Sequence, residues 1–461
     1  MIRASRLGRP LLAAIVAAAL LLPSLAAVTR AADATFGTPT AKATYGRSID
    51  FAVPLTTSVR PDRVELRLLF PGASGPEIID VPSPAGTGSS DLAYSLDLTG
   101  GNLAPNTKFT ATWAAVSAGT VIGLSAPLTV DYQDTSESWQ TVTGDLVTVH
   151  WYQGSKAFAQ QELRIAEKAI ADTSALLGVT ETQPVDFFIY ADDAAFALAT
   201  GSTPGETTIG QARADIRTLF GLITEATMNS QDVRSVVPHE LAHLVFNTAV
   251  HNPYRFPPTW LNEGLATYLS AGYTTTFRNL VEQAVRSGDL LPLTGLSGQF
   301  PMFDSAKRYL AYGTSVSAID FLVRTFGQDK LVLLVQAYAD GLTDDEAFTR
   351  ALGMNLGAFQ DAWLADLGAG MPTKYGPNPA PAGPLPPGWA GPGQTAAPGP
   401  GSTPGSAVTT PTAAPTAAPA DGGQSTGGIG AGIGPVLASI LGVVALVIIV
   451  LAVARRRAGR A

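Results

Sequence analysis

Val236-Val237-Pro238-His239-Glu240-Leu241-Ala242-His243-Leu244-Val245-Phe246 lies near the middle of a 461-residue chain, and its reading decides the rest. Helical periodicity runs over about 233–248 and predicts a helix there. His239 and His243 are four apart, so they share one helical face and can both offer a ring nitrogen to a single metal ion. Glu240 is rotated from that line but stays within reach of a water at such an ion, where a carboxylate can take a proton. The chain has only four histidines (His150, His239, His243 and His251), so a chance His-Glu-x-x-His is improbable. Pro238 lacks an N–H and clashes one turn back, so it is tolerated only if the helix begins near it.

A catalytic zinc needs a third protein ligand and one open position. Downstream runs Pro258-Thr259-Trp260-Leu261-Asn262-Glu263-Gly264-Leu265-Ala266-Thr267-Tyr268. Pro257 and Pro258 can start a second helix that carries Glu263 back towards the first, giving a two-histidine, one-glutamate set suited to zinc. Asp232 and Glu225 are the rival acids. Glu240 and Glu263 also have plainer readings as first-turn carboxylates that complement a helix dipole. His150 reads as a strand residue with a structural hydrogen bond, and His251 as a loop residue.

Taken together, His239-Glu240-Leu241-Ala242-His243 and Trp260 to Tyr268 resemble the gluzincin metallopeptidases, and more narrowly the bacterial peptidase MA-like domain family. The resemblance implies a zincin-like α+β fold and Zn2+ held by His239, His243 and Glu263. It also implies Glu240 as general base and a peptide or protein substrate. It runs from about Trp139 to Leu367, through Val149-His150-Trp151-Tyr152, Tyr312-Gly313-Thr314-Ser315, Phe326-Gly327, Leu352-Gly353 and Trp363. Related gluzincins stabilise the oxyanion with a tyrosine hydroxyl, which makes Tyr312 the candidate and Tyr309 the lesser one. Tyr309, Tyr312, Val316 and Ile319 also form a stripe at helical spacing, which reads as core. Trp260, Leu265 and Tyr268 read as packing. Zincins lay a peptide on an edge strand, and Ile216 to Ile223 is expected in that place. The spacer between His243 and Glu263 holds 19 residues, one more than in the related aminopeptidases. Their Gly-x-Met-Glu-Asn amine-gripping motif is missing, which argues against action on free N-termini.

Length and composition set the surroundings. The chain exceeds what one core supports, so two folded domains and accessory segments are expected. A net charge of −8 and a pI near 5.1 argue against a nucleic-acid binder, and the absence of cysteine excludes disulfides and thiol chemistry. Arg3, Arg6 and Arg9 precede the apolar run Leu11 to Leu22 and small residues, the pattern of a signal peptide (1–32) cleaved after Ala31 or Ala32, with an uncleaved anchor as the alternative. Residues 33–132 alternate apolar and polar in short runs between turn-forming clusters, which predicts an all-β immunoglobulin-like sandwich. Residues 133–370 are expected to form the α+β zincin-like domain.

The remainder reads as membrane attachment. Residues 371–427 are rich in Pro, Ala, Gly and Thr, a disordered stalk. Residues 428–454 contain an uncharged run from Ile433 to Ala454 long enough to cross a bilayer, followed by Arg455, Arg456 and Arg457, the positive-inside pattern. The expected topology is a single-pass cell-membrane protein with an extracellular N-terminal part and a short cytoplasmic tail (455–461). The expected activity is hydrolysis of amide bonds. Two rivals stand: a zinc amidohydrolase that is not a peptidase, and a surface-binding or adhesion protein with an idle site.

Overall fold

The structure, a computed structural model, describes residues 33–372 apart from 102, 204–208, 251, 253–255, 302 and 303. The expected signal peptide, membrane span and cytoplasmic tail, almost all of the stalk, and His251 lie outside the described residues. Among the described residues no helix is long and apolar enough to cross a membrane.

The N-terminal part is all β. Strands β1 (Ala34–Phe36), β2 (Thr40–Thr44), β3 (Ser48–Thr57), β4 (Arg63–Leu69), β5 (Glu77–Val81), β6 (Gly88–Asp97), β7 (Thr107–Ser117), β8 (Thr120–Leu124) and β9 (Leu128–Tyr132) form two antiparallel sheets. In one, β1 and β2 line one side of β3 and β6 the other; in the other, β5, β4 and β7 run in order and β8 and β9 share the far side of β7. Period-2 alternation drives the packing. Ile49, Phe51, Val53 and Leu55 of β3 point inward and meet Val64, Leu66 and Leu68 of β4 and Phe109, Ala111 and Trp113 of β7 in one buried core.

A second sheet follows, with α1 and α3 on one face and α2 on the other. Its elements are β10 (Gln140–Thr143), β11 (Val147–Trp151), α1 (Lys156–Leu177), β12 (Val185–Tyr190), α2 (Asp193–Thr200), β13 (Gly210–Arg213) and β14 (Thr218–Leu222), and the strand order is β10-β11-β12-β14-β13. Then come α3 (Gln231–Val250), α4 (Thr259–Ser270), α5 (Thr275–Ser287), α6 (Ser305–Phe326), α7 (Gln328–Ala339), α8 (Asp344–Leu352) and α9 (Leu356–Asp366). Local chemistry fixes the ends of the helices. Ser155 Oγ accepts from Phe158 N at the start of α1, and Gly178 closes that helix at φ 65°, a conformation costly for a residue with a Cβ. Thr343 and Glu346 form a reciprocal capping box on α8.

Two expectations need correction. The helix with the histidines does not begin near Pro238: it begins at Gln231, about two turns earlier, with Ser230 Oγ accepting from Val233 N. Pro238 is thus internal and leaves the Arg234 carbonyl without its usual partner, and burial of the α3 face offsets that cost. The segment read as the edge strand is β14, which lies inside the sheet, parallel to β12 and antiparallel to β13. Among the described residues the edge on that side is β13, whose four residues are too few to carry an alternation signal.

The two faces of the second sheet have different partners. Val147, Val149, Val185, Phe187, Leu219 and Ala212 join the large core with α1 and α3. Phe188, Tyr190 and Phe220 face the other way and pack with Ala104 of the sandwich and with Phe196 and Ala199 of α2. Asn106, at φ 65° before β7, reaches across from the sandwich: its Nδ2 donates to Asp186 Oδ2 at 3.0 Å and to Thr218 Oγ1 at 2.9 Å. The same Asp186 holds His150 Nε2 at 2.7 Å, and the His150 ring stacks on Phe188, the structural hydrogen bond expected for this histidine.

One buried group is left out of these pairings. Glu162 of α1 has no exposed surface, and neither carboxyl oxygen has a hydrogen-bond partner among the described residues. Burial pushes its pKa from 4.5 up to about 7. The folded state then binds this proton more tightly than the unfolded chain, so stability falls as pH rises from 4.5 to 7 and levels off above. Glu162→Gln should flatten that slope, raising Tm at pH 8 by a few degrees relative to its effect at pH 5, given that ~1 kcal/mol shifts Tm by about 2–4 °C in a domain of this size. Thermal melts at the two pH values check this, and a pH-independent effect would remove the titration from the account.

Candidate metal centre

The helix α3 packs against α4, and α4 against α6, which brings three segments distant in sequence to one point. His239 and His243 stand one turn apart on α3, and Glu263 faces them from the first turns of α4; all three are buried. Gly264 makes the α4–α6 approach possible. A Cβ there would lie 2.8 Å from the Ser315 carbonyl oxygen and 2.9 Å from Ile319 Cγ1, so no larger residue fits without moving a helix.

The donor atoms converge. The two Nε2 atoms are 3.2 Å apart, and Glu263 Oε2 lies 3.4 Å from that of His239 and 3.6 Å from that of His243. A point equidistant from three atoms so spaced lies about 2.0 Å from each, within the ~2.0–2.2 Å of zinc–nitrogen and zinc–oxygen bonds. Both Glu263 oxygens are buried without a hydrogen bond among the described residues, which is what a carboxylate built to meet a cation shows. Two imidazoles and a carboxylate form a set of borderline softness, and the metal they suit is zinc.

Electrostatics agree with that reading. Burial disfavours charge on all three groups, but His243 and then His239 hold the Glu263 carboxyl down to about 2 against that penalty. Burial likewise opposes charge on His243, and the Glu263 carboxylate overcomes it and lifts the ring to about 9. For His239 burial prevails and its pKa falls. His239 Nδ1 makes no hydrogen bond among the described residues. His243 is better anchored: its Nδ1 is 2.9 Å from Asn262 Oδ1, so the ring donates there and turns Nε2 towards the centre.

Glu240 stands beside the trio, buried, with Oε2 accepting from Ala212 N of the edge strand at 2.9 Å. Burial raises its pKa to about 7. The Tyr312 ring lies 6.3 Å from that of His239 and 5.1 Å from that of Phe300. Burial, together with the charges of Glu263 and Glu240, holds the Tyr312 hydroxyl well above its ordinary pKa, so it keeps its proton. Tyr309 goes elsewhere, its ring 5.1 Å from Phe277 of α5. The rival acids are also apart: Glu225 accepts from Ser155 N, and Asp232 sits in the first turn of α3. Trp260 is packing, stacked on Phe359.

The sequence reading missed Ala212, Asn262 and Gly264 as contributors. Asn262 had a signal, since it immediately precedes Glu263 on the helix that must face His243. Ala212 had none, because its role belongs to a backbone N–H.

Residues 165–369 match the model of the Peptidase MA superfamily. No curated protein matches the chain. Among solved structures it is similar to an aminopeptidase N family protein from Idiomarina loihiensis, at 11% identity and a TM-score of 0.39, over 72% of this chain and 77% of that one. It is also similar to a mutant M1 zinc metallopeptidase from Deinococcus radiodurans bound to a Tyr-Ser-Ala substrate, at 13% identity and a TM-score of 0.35, over 75% and 95% of the two chains. A human FNIII domain matches 23% of this chain over 82% of its own length, at 15% identity and a TM-score of 0.17.

Asn262→Ala should weaken zinc binding about 10- to 100-fold, because the His243 ring loses its orienting partner. Competition with a chelator of known affinity measures this; an unchanged affinity would remove Asn262 from the site.

Proposed function

We propose that the chain is a zinc metallopeptidase that cleaves amide bonds outside the cell while anchored through residues 428–454. The observation that carries the catalytic part is the buried convergence of His239, His243 and Glu263 with Glu240 alongside. The anchoring part rests on the apolar run and the arginines that follow it.

His239, His243 and Glu263 would hold the metal. When bound, zinc supplies Lewis acidity to water and to a carbonyl. Glu240 takes a proton from the attacking water as the new carbon–oxygen bond forms, and returns it to the amide nitrogen as the carbon–nitrogen bond breaks. Its raised pKa suits both halves of that exchange. Tyr312 keeps its proton and donates a hydrogen bond to the oxygen that gains charge, in a site withdrawn from bulk solvent. A peptide lies along β13, whose side away from β14 carries main-chain groups with no strand partner among the described residues. Main-chain pairing of this kind tolerates many sequences, so the substrate class is extended polypeptide.

Full-length chain loaded with zinc and freed of excess metal should retain about one ion per chain, and Glu263→Ala should lose it. Glu240→Gln should keep the ion and lower kcat by roughly 100-fold or more on a peptide library. Absence of retained metal, or full activity in Glu240→Gln, overturns the reading. Retained metal without cleavage of any peptide would favour the non-peptidase amidohydrolase.

A further inference from the structure

Arg217 sits in the turn between β13 and β14 with φ 52°, a left-handed conformation that a side chain disfavours and glycine accepts freely. An arginine there calls for a compensating role. Its guanidinium provides one. Nη1 donates to the Leu244 carbonyl and to Thr248 Oγ1 of α3, both at 3.1 Å. Nη2 donates to the Gln183 carbonyl at 3.2 Å and pairs with Glu181 Oε2 at 3.0 Å. Glu181 is itself buried and fully engaged: Oε1 accepts from Thr182 N and Gln183 N, and Oε2 from Thr248 Oγ1 at 2.7 Å. Three segments meet at this one side chain: the hairpin, the α1–β12 connection and the C-terminal half of the helix that carries both histidines.

The contacts between hairpin and helix fall in order along both. A Cβ on Gly210 would lie 2.7 Å from Val236 and 3.3 Å from Glu240. Ala212 N donates to Glu240, and Arg217 reaches Leu244, the residue after His243, and Thr248. The edge strand therefore runs beside α3 in the same direction, in tight contact at one end and held by the guanidinium at the other. Between those two ends lies the single hydrogen bond from the strand to Glu240. Strand pairing reaches β13 from β14 alone among the described residues, so the sheet does not fix its distance from α3.

We propose that Arg217 is a positioning residue: it sets how the edge strand lies along α3 and so keeps the Ala212 N–H on Glu240. Its consequence for turnover rests on the peptidase reading; its consequence for the strand does not. Arg217→Gly is the informative variant, because it removes the clamp while relieving the backbone. Thr248→Val removes the hydroxyl that links Arg217 to Glu181 and leaves the turn unchanged.

The experiment is hydrogen–deuterium exchange on the full-length, zinc-loaded chain, with metal content and peptide hydrolysis measured on the same samples. In Arg217→Gly, amides of 209–213 should exchange roughly tenfold faster or more while 259–270 and 305–326 keep wild-type rates. Zinc should stay at the wild-type level, and kcat/KM should fall at least about tenfold through misplacement of the strand. Thr248→Val should shift the same amides in the same direction by less. Unchanged exchange over 209–213 in Arg217→Gly overturns the proposal. So does faster exchange spread equally over α4 and α6, which marks a clamp on the whole fold. If the wild-type chain cleaves no peptide but the exchange result holds, the peptidase reading fails and the positioning role stands.

Discussion

A carboxylate removed from water and set between two imidazoles equally removed from it is the constraint around which the helical half is arranged. Taking one charge out of water costs several kcal/mol, repaid only by close partners. Among the described residues Glu263 gets no hydrogen bond to either oxygen, so its partners there are the two rings and whatever cation they share. Bringing those partners close demands that α3 and α4 touch, and keeping water out demands that α6 close over them. Gly264 is where that second demand becomes a residue: the backbone of α6 passes where a side chain would otherwise stand. The buried hydroxyls of Thr267, Thr314 and Ser315 show the same thing, since small polar residues are accepted there as spacers although none has a hydrogen-bond partner among the described residues.

The sheet answers a different demand. Its helix-facing side supplies the floor on which α1 and α3 rest, and its opposite side is too aromatic to face water. Phe188, Tyr190 and Phe220 are covered by the sandwich end that carries Ala104 and by α2, and Asn106 makes the docking specific through Asp186 and Thr218. The link after β9 adds Asp134, which accepts from Tyr190 at 2.9 Å. The sandwich is thus a wall of the metal-binding half as well as a fold of its own, and removing it would bare a contiguous apolar face.

How much of this the sequence disclosed follows from what each feature is made of. His239, His243 and Glu263 are side chains whose roles depend on helical spacing and a short motif, and both are written locally. The strands of the sandwich and the helix α1 carry clear periodicity for the same reason, whereas α3 and α6 are apolar on most of their faces because they run through the core. Pro238 misled because its penalty is local while its compensation, burial of the α3 face, is not. The edge strand was assigned one strand too late because β14 has the apolar run and β13 has only Gly210 to Arg213. The hydrogen bond to Glu240 comes from a backbone N–H, and every residue but proline has one. The Asn106 bridge joins residues 80 and 112 positions apart, and no local pattern records such a contact.

The site therefore divides into parts with different rigidity. All three metal-binding residues stand on helices embedded in one large core, so their geometry is fixed by many contacts at once. The edge strand is fixed by few: one neighbouring strand, a glycine pressed on α3, one hydrogen bond to Glu240 and one guanidinium. Substitutions in the hairpin can then shift the edge strand without disturbing the cluster of His239, His243 and Glu263, whereas substitutions along the α3–α4 contact disturb that cluster itself. The two parts meet at one point, the hydrogen bond from Ala212 N to Glu240, so a change in the lie of the strand reaches Glu240 while leaving the cluster of His239, His243 and Glu263 in place.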